Sequence, residues 1–257
     1  MKHLFIPDAQ VRPGVSTDHL EALGNFIVEK KPDKIINIGD FADMPSLSIY
    51  ERPGSKKLEG ARYSEDIACT KDAMDKLLSP LKEHNRQQLR NKKRQYKPRM
   101  ILTLGNHENR IDRAINSDPV KLEGVISTEH LPYEDWEVYP FLDIVEEDGI
   151  LYSHYFCNPD SLMANPVGGT IENKLKLLGQ SFSMGHQQKR QYGTRYNAAG
   201  REMHGLVAGA FYMHDEDYLG PQKNRHYWRG VVMKNEVRKG SYDPCFVSLD
   251  YLLRKYL

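Results

Sequence analysis

Short apolar runs that end abruptly in polar residues recur along this chain. His3 to Pro7 gives way to Asp8, Lys34 to Gly39 to Asp40, and Met100 to Leu104 to Gly105-Asn106-His107-Glu108. Ser181 to Met184 ends in the same way, at Gly185-His186. Runs of this length, rich in β-branched and aromatic residues, predict buried strands. Between them the period changes. Leu20, Leu23, Ile27 and Val28 predict a helix from Asp18 to about Lys31, with Asp18 and Glu21 as a capping box and Pro32 as the stop. Ser64 is the expected cap of a longer helix with Ile67, Met74, Leu78 and Leu81 inward, which Pro80 should kink or interrupt. A further helix begins at Asn109 to Ile115, with loop and helical turns to about Glu129, and another spans Thr170 to Leu178.

Glu137 to Val145 and Gly149 to Ser153 predict a hairpin whose second arm leads into His154. Gly205 to Tyr212, Trp228 to Lys234 and Cys245 to Leu249 are strand-like. Met44 to Tyr63, rich in Pro, Gly and Ser, reads as a long loop leaving a strand end, a candidate lid or specificity element. No internal repeat or linker divides the chain. The expectation is one domain over residues 1–257, with a loop and helix insertion around 44–98.

Composition narrows the class. At 257 residues, 39% hydrophobic and 28% charged, the chain can bury a substantial core and has the make-up of a globular protein. Only four apolar residues precede Pro7, too few for a secretory core segment, and Leu206 to Met213 is far short of a membrane span. Three cysteines without C-x-x-C spacing (Cys69, Cys157, Cys245) argue against a disulfide framework or a zinc finger. Together these features predict a cytoplasmic protein with no membrane partner. The net charge of +1 is unevenly spread: Lys82 to Arg99 holds eight basic residues, whereas Leu122 to Asn173 holds none and eleven acidic ones. Such asymmetry fits a polyanion-binding face and equally a solvated helix followed by an acidic surface.

The candidate chemistry lies at the strand ends. Asp8, Asp40, Asn106, His107, His154 and His186 each follow a strand-like segment, where open α/β sheets place their ligands. Carboxylate and amide oxygens combined with imidazole suit Mn, Fe, Zn or Mg better than a thiolate-seeking metal. A carboxylate such as Asp40 can bridge two ions, and two such ions can clamp a phosphoryl group from both sides.

The ordered blocks Asp8-Ala9-Gln10, Gly39-Asp40-Phe41-Ala42-Asp43, Gly105-Asn106-His107-Glu108, His154 and Gly185-His186-Gln187-Gln188 resemble the calcineurin-like metallophosphoesterase superfamily. Its pattern is D-x-H, G-D-x-x-D, G-N-H-E, a lone histidine, then G-H-x-H. The Asp8-x-Gln-x-x-Pro opening and Trp228-Arg229-Gly230 look like its phage-encoded branch. The resemblance implies a four-layer αββα sandwich, two mixed sheets flanked by helices, acting as a divalent-metal-dependent hydrolase of phosphoesters. It implies that Asp40 bridges two ions, that Asn106, His154 and His186 complete one site, and that Asp8 serves the other. His107 is then the non-ligand that stabilises or protonates the substrate, and Asp43 holds its ring. Attack is expected from metal-bound hydroxide.

Two departures stand out. Gln10 and Gln188 occupy positions where the family has histidine, both at the Asp8 site, and a neutral amide oxygen binds transition metals more weakly than imidazole. One tight and one weak ion are therefore expected. Arg110 and Arg113, and Lys189 and Arg190 with the nearby Tyr192, Arg195 and Tyr196, are candidate phosphate or nucleotide contacts, although surface roles explain them nearly as well. His3 and Glu108 read as structural, and His19, His84, His130 and His226 as solvated. His204 and His214 flank an apolar run and are minor candidates for the site. The leading expectation is a phosphodiesterase (a nuclease or nucleotide hydrolase). A nucleotide phosphomonoesterase and a non-catalytic module that keeps the fold are the rivals. Oligomeric state is left open.

Overall fold

The computed structural model describes every residue except 50–57, 159–160, 162 and 217–219. The chain begins with β1 (His3–Ile6), α1 (Asp18–Lys30), β2 (Lys34–Asn37) and a 3₁₀ turn (Pro45–Leu47). It continues through α2 (Tyr63–Arg90), β3 (Arg99–Thr103), α3 (Arg110–Ser117), α4 (Pro119–Leu122) and β4 (Glu137–Tyr139). Next come β5 (Val145–Glu147), β6 (Ile150–Tyr152), α5 (Ile171–Leu178), β7 (Ser181–Met184), β8 (Arg190–Tyr196) and β9 (Glu202–Ala208). The last elements are α6 (Gly220–Asn224), β10 (Gly230–Arg238), β11 (Ser241–Ser248) and α7 (Leu249–Tyr256).

Two mixed sheets form, in the orders β11-β10-β1-β2-β3-β4 and β5-β6-β7-β9-β8. Within the first, β1, β2, β3 and β4 run parallel; within the second, β6, β7 and β9 do. Side-chain alternation builds the layers. Phe5, Ile36 and Ile101 turn toward the second sheet and meet Ile150, Tyr152 and Leu206. Leu4, Ile35 and Leu102 face the other way and pack beneath Leu20, Leu23 and Phe26 of α1 and Leu77 and Leu78 of α2. Ile171 and Leu175 of α5 close the far face of the second sheet over Phe182 and Met203. Strands buried on both faces read as continuous apolar runs, which is why these were visible in the sequence. The result is the four-layer αββα arrangement.

Several local expectations are corrected. The cap of α1 is Thr17 and makes no side-chain cap bond, so Asp18 and Glu21 form no capping box; Asp18 accepts from Ser16 and Lys76 instead. α2 starts one residue before Ser64 and runs unbroken through Pro80. The missing N–H is tolerated because Leu77, Leu78 and Leu81 on either side are buried, and the Pro80 ring packs against Gly24 of α1. The hairpin's first arm divides: Glu137–Tyr139 pairs in parallel with β3, and only Val145–Glu147 pairs with β6. Residues 190–196 form the edge strand β8, not a loop, and α7 ends the chain where no helix is expected. His19 is buried, with Nε2 3.0 Å from the Phe211 carbonyl. Of the predicted 44–63 loop, residues 50–57 lie outside the described residues; Pro45–Leu47 form the 3₁₀ turn, and Tyr63 already belongs to α2.

Candidate metal centre

The parallel strands of both sheets deliver their carboxyl ends to one place. Asp8 follows β1, Asp40 follows β2, Asn106 and His107 follow β3, His154 follows β6, and His186 follows β7. Among the described residues, Asp40, His154 and His186 each offer a ligand atom within 4.8 Å of the other two. Oδ1 of Asn106 lies between the imidazoles, 2.9 Å from His154 Nε2 and 2.7 Å from His186 Nδ1. Oδ2 of Asp40 is 3.3 Å from His154 Nε2. Asp8 joins through His186, whose backbone N–H donates to both its carboxylate oxygens, and through Gln188, whose Nε2 donates at 2.8 Å.

The backbone at these points is shaped for close approach. Gln10, Asp40 and His186 all have positive φ (42°, 48° and 64°), a strained state for side-chain-bearing residues that concentrates at functional sites. The preceding glycines make room. A Cβ on Gly105 would stand 2.1 Å from Oδ1 of Asp40, and one on Gly185 would stand 2.2 Å from Oδ1 of Asp8. Glu108, fully buried, braces the turns: it accepts from the backbone N–H groups of Asp40, Ala42 and Gly105 and from the Tyr133 hydroxyl.

The donor set fits a divalent cation. Ligands about 2.1 Å from one ion and at right angles stand about 3.0 Å apart, close to the Asn106, His154 and Asp40 spacings. His154 Nδ1 is 2.9 Å from the Ile38 carbonyl, the outer-shell bond that would leave Nε2 free as a ligand. Among the described residues Gln188 Oε1 is buried without a partner, an orphaned acceptor beside Asp8. The charges argue the same way. Burial, only partly opposed by His154, pushes the Asp8 carboxyl up to about 7. Burial disfavours charge on Asp40 too, but His107 and His154 outweigh it and hold the group ionised. Burial likewise opposes a charge on His154, yet Asp40 and Asp8 raise it to about 9. A cluster that draws a proton onto a buried imidazole is one that wants positive charge.

His107 stands beside this cluster. Its Nδ1 is 2.6 Å from Oδ1 of Asp43, and its Nε2 is 3.6 Å from Oδ2 of Asp40. Burial alone would lower its pKa, but Asp40 and Asp43 prevail and raise it. Arg110 is buried; it donates to the Asp43 carbonyl at 2.7 Å and lies 3.3 Å from His107 Nε2. Arg113 lies on the same helix, half-buried. Gln10 is buried, its N–H donating to the Asp40 carbonyl. Lys189 is exposed, and Arg190 lies on the faces of Trp228 and Phe246 at 4.8 and 4.6 Å, away from the ligand cluster.

Three neighbours were not singled out in the sequence. Arg12 Nη1 approaches Oδ2 of Asp43 at 3.4 Å and Oε2 of Glu216 at 3.5 Å. Glu216 in turn holds His214 at 3.0 Å. Tyr155 packs its ring 4.8 Å from that of His186. Adjacency to His154 could have flagged Tyr155; nothing local links Arg12 to Glu216. His204 does not join the site: it pairs with Tyr192 and Ser241.

No protein-family model and no curated protein matches this sequence. Among solved structures, the NAD nucleotidase of Haemophilus influenzae aligns over 96% of this chain and 50% of its own, at TM-score 0.35 and 12% identity. The chain thus spans half the length of that protein. No described helix is long and apolar enough to cross a membrane.

Proposed function

We propose that the protein is a divalent-metal-dependent phosphoesterase whose substrate is a phosphodiester in nucleic acid or a nucleotide. The observation that carries this reading is the convergence of Asp40, Asn106, His154 and His186 beside a His107–Asp43 pair. Asp40, Asn106, His154 and His186 would hold one ion, and Asp8, Asp40, Gln188 and Gln10 a weaker second one. When bound, such ions supply Lewis-acid stabilisation of the phosphoryl group and lower the pKa of water.

The chain's own residues do the rest. Asp43 accepts the Nδ1 proton of His107 and so keeps the ring turned with Nε2 toward the cluster. Asp40 and Asp43 raise its pKa and so favour the protonated ring, which can hydrogen-bond a phosphoryl oxygen or give its proton to the leaving oxygen. Arg12, a quarter exposed and held by Asp43 and Glu216, adds a cation at the rim for a substrate phosphate. Phe141 and Tyr155 wall the imidazoles on the apolar side.

The test compares bis-p-nitrophenyl phosphate with p-nitrophenyl phosphate in Mn²⁺. The reading predicts turnover of the diester above that of the monoester, abolished by chelation. Preference for the monoester would move the assignment to a phosphomonoesterase. Rates no higher than those of the His107→Ala variant on both substrates would favour a non-catalytic module.

A further inference from the structure

A second site lies outside the metal cluster, in a groove of about 760 Å³ where β10, β11, α1 and α7 meet the start of β8. Lys2, Lys30, Arg190 and Arg254 line it together with Trp228 and Phe246, and among the described residues no carboxylate does. In a chain of net charge +1, four cations around one cavity is a strong local excess. Lys30 is paired with Glu29 at 2.7 Å, and the Lys2 ammonium donates to the Lys30 carbonyl. Among the described residues, Arg190 and Arg254 have no carboxylate partner within ion-pair distance.

Arg190 is the informative one. Its guanidinium carbon lies 4.8 Å from the centroid of the Trp228 ring and 4.6 Å from that of Phe246, two rings set at 88° to each other. Cation–π contact holds the group in place without consuming its N–H donors, which leaves them for an anion. By its place in the sequence Arg190 is a candidate phosphate contact, with a surface role nearly as good an explanation. The structure sets it in this groove, not at the ligand cluster.

The groove is also connected to the cluster. Trp228 is shared with a neighbouring cavity of about 500 Å³ that Arg229 and Asp215 line. Arg229 donates to the His214 carbonyl, His214 bonds to Glu216, and Glu216 holds Arg12 beside Asp43. The backbone brings the two places together more directly: Arg190 follows Gln188 by two residues, and the Trp228 carbonyl accepts from the N–H of Ala210, which bridges to Asp8.

From this charge complementarity we propose that the groove binds single-stranded nucleic acid, its phosphates on Arg190 and Arg254 and its bases against the exposed Tyr251 ring and the half-buried Trp228 and Phe246. Basic residues interleaved with aromatic faces are the chemistry that holds a flexible strand without reading its sequence. The proposal rests on the phosphodiesterase reading for its biological sense, and makes the groove the substrate-holding surface of that reaction. Its binding test stands by itself.

Binding of a short fluorescein-labelled oligo-dT is followed by anisotropy in EDTA across a salt series, so that no turnover intervenes. Wild-type protein should bind, with affinity falling as salt rises. The Arg190→Ala/Arg254→Ala protein should bind about tenfold more weakly, with the slope of log K against log salt reduced by about 1. Arg254→Glu alone, on the exposed face of α7, should weaken binding without disturbing the fold. Cys245 lines the groove and is exposed, so saturating oligonucleotide should slow its alkylation by N-ethylmaleimide. Unchanged affinity and slope in the double variant, or unchanged Cys245 alkylation, would overturn the proposal. So would inorganic polyphosphate competing as well as oligo-dT, since charge alone would then explain binding. Failure of the phosphoesterase reading shows up separately, as absence of diester turnover in wild-type protein.

Discussion

Oδ1 of Asp43 lies 2.6 Å from Nδ1 of His107, and the same residue is engaged by Arg110 and Arg12. The ring is thereby oriented by a carboxylate that is itself fixed from two sides. Removal of the imidazole and removal of its orienting carboxylate should thus have different sizes. On the diester, His107→Ala is expected to lower kcat by about 10²–10⁴-fold, with KM changed little, as for loss of a general acid. Asp43→Asn should cost less, about tenfold to a hundredfold. Steady-state kinetics in Mn²⁺ measures both; equal rates in wild type and His107→Ala would remove His107 from the chemistry.

Arg12 contributes charge at the rim and touches none of the ligands, so its loss should weaken substrate binding. Arg12→Ala is expected to raise KM about tenfold while kcat falls less, and Arg12→Lys should restore part of the loss. A fall confined to kcat would contradict a substrate-contact role.

How much of this was legible follows from burial. The centres of β1, β2 and β3 are covered on both faces, so they read as short apolar runs that end where the polar site begins, whereas the equally buried β7 alternates serine with Phe182 and Met184. β8 is an edge strand with exposed Arg190, Arg195 and Tyr196, and carries no such signal. The site residues at strand ends were legible for the same reason as the strands. Arg12 and Glu216 were not, because only the folded chain brings them together. His19 follows the helix-capping region and looks solvated, yet tertiary packing against Phe211 buries it.

Glu108 should be structural first. It accepts three backbone N–H groups that shape the Asp40 and Asn106 turns, so Glu108→Ala strands three buried donors. Each unsatisfied donor costs about 1–3 kcal/mol, and a loss of about 3 kcal/mol or more is expected by urea unfolding. A variant as stable as wild type would show that these turns do not depend on it.

Acid should destabilise the protein well above the carboxylate range. Burial lowers His19 from 6.5 to about 4, and burial with the neighbouring Lys234 does the same to His3. Both stay neutral in the fold while the unfolded chain takes up protons below pH 6.5. The contribution of these two histidines is therefore full above that pH and falls as pH drops toward 4, against an opposite contribution from Asp8, which takes up a proton in the fold below about pH 7. Each histidine contributes about 1.4 kcal/mol per pH unit at most, so up to about 2 kcal/mol is at stake for each of them between pH 6.5 and 5. Urea unfolding at pH 7 and pH 5 should show a smaller loss in His19→Gln than in wild type. Equal losses would mean that His19 is already protonated in the fold.

Calorimetric titration of metal-free protein with Mn²⁺ addresses the cluster most directly. The account predicts one tight ion and one markedly weaker one, with the tight site lost in His186→Ala and Asp40→Asn. Two equally tight sites would contradict the weakening assigned to Gln10 and Gln188. No binding at all, in protein shown to be folded, would contradict the metal centre itself.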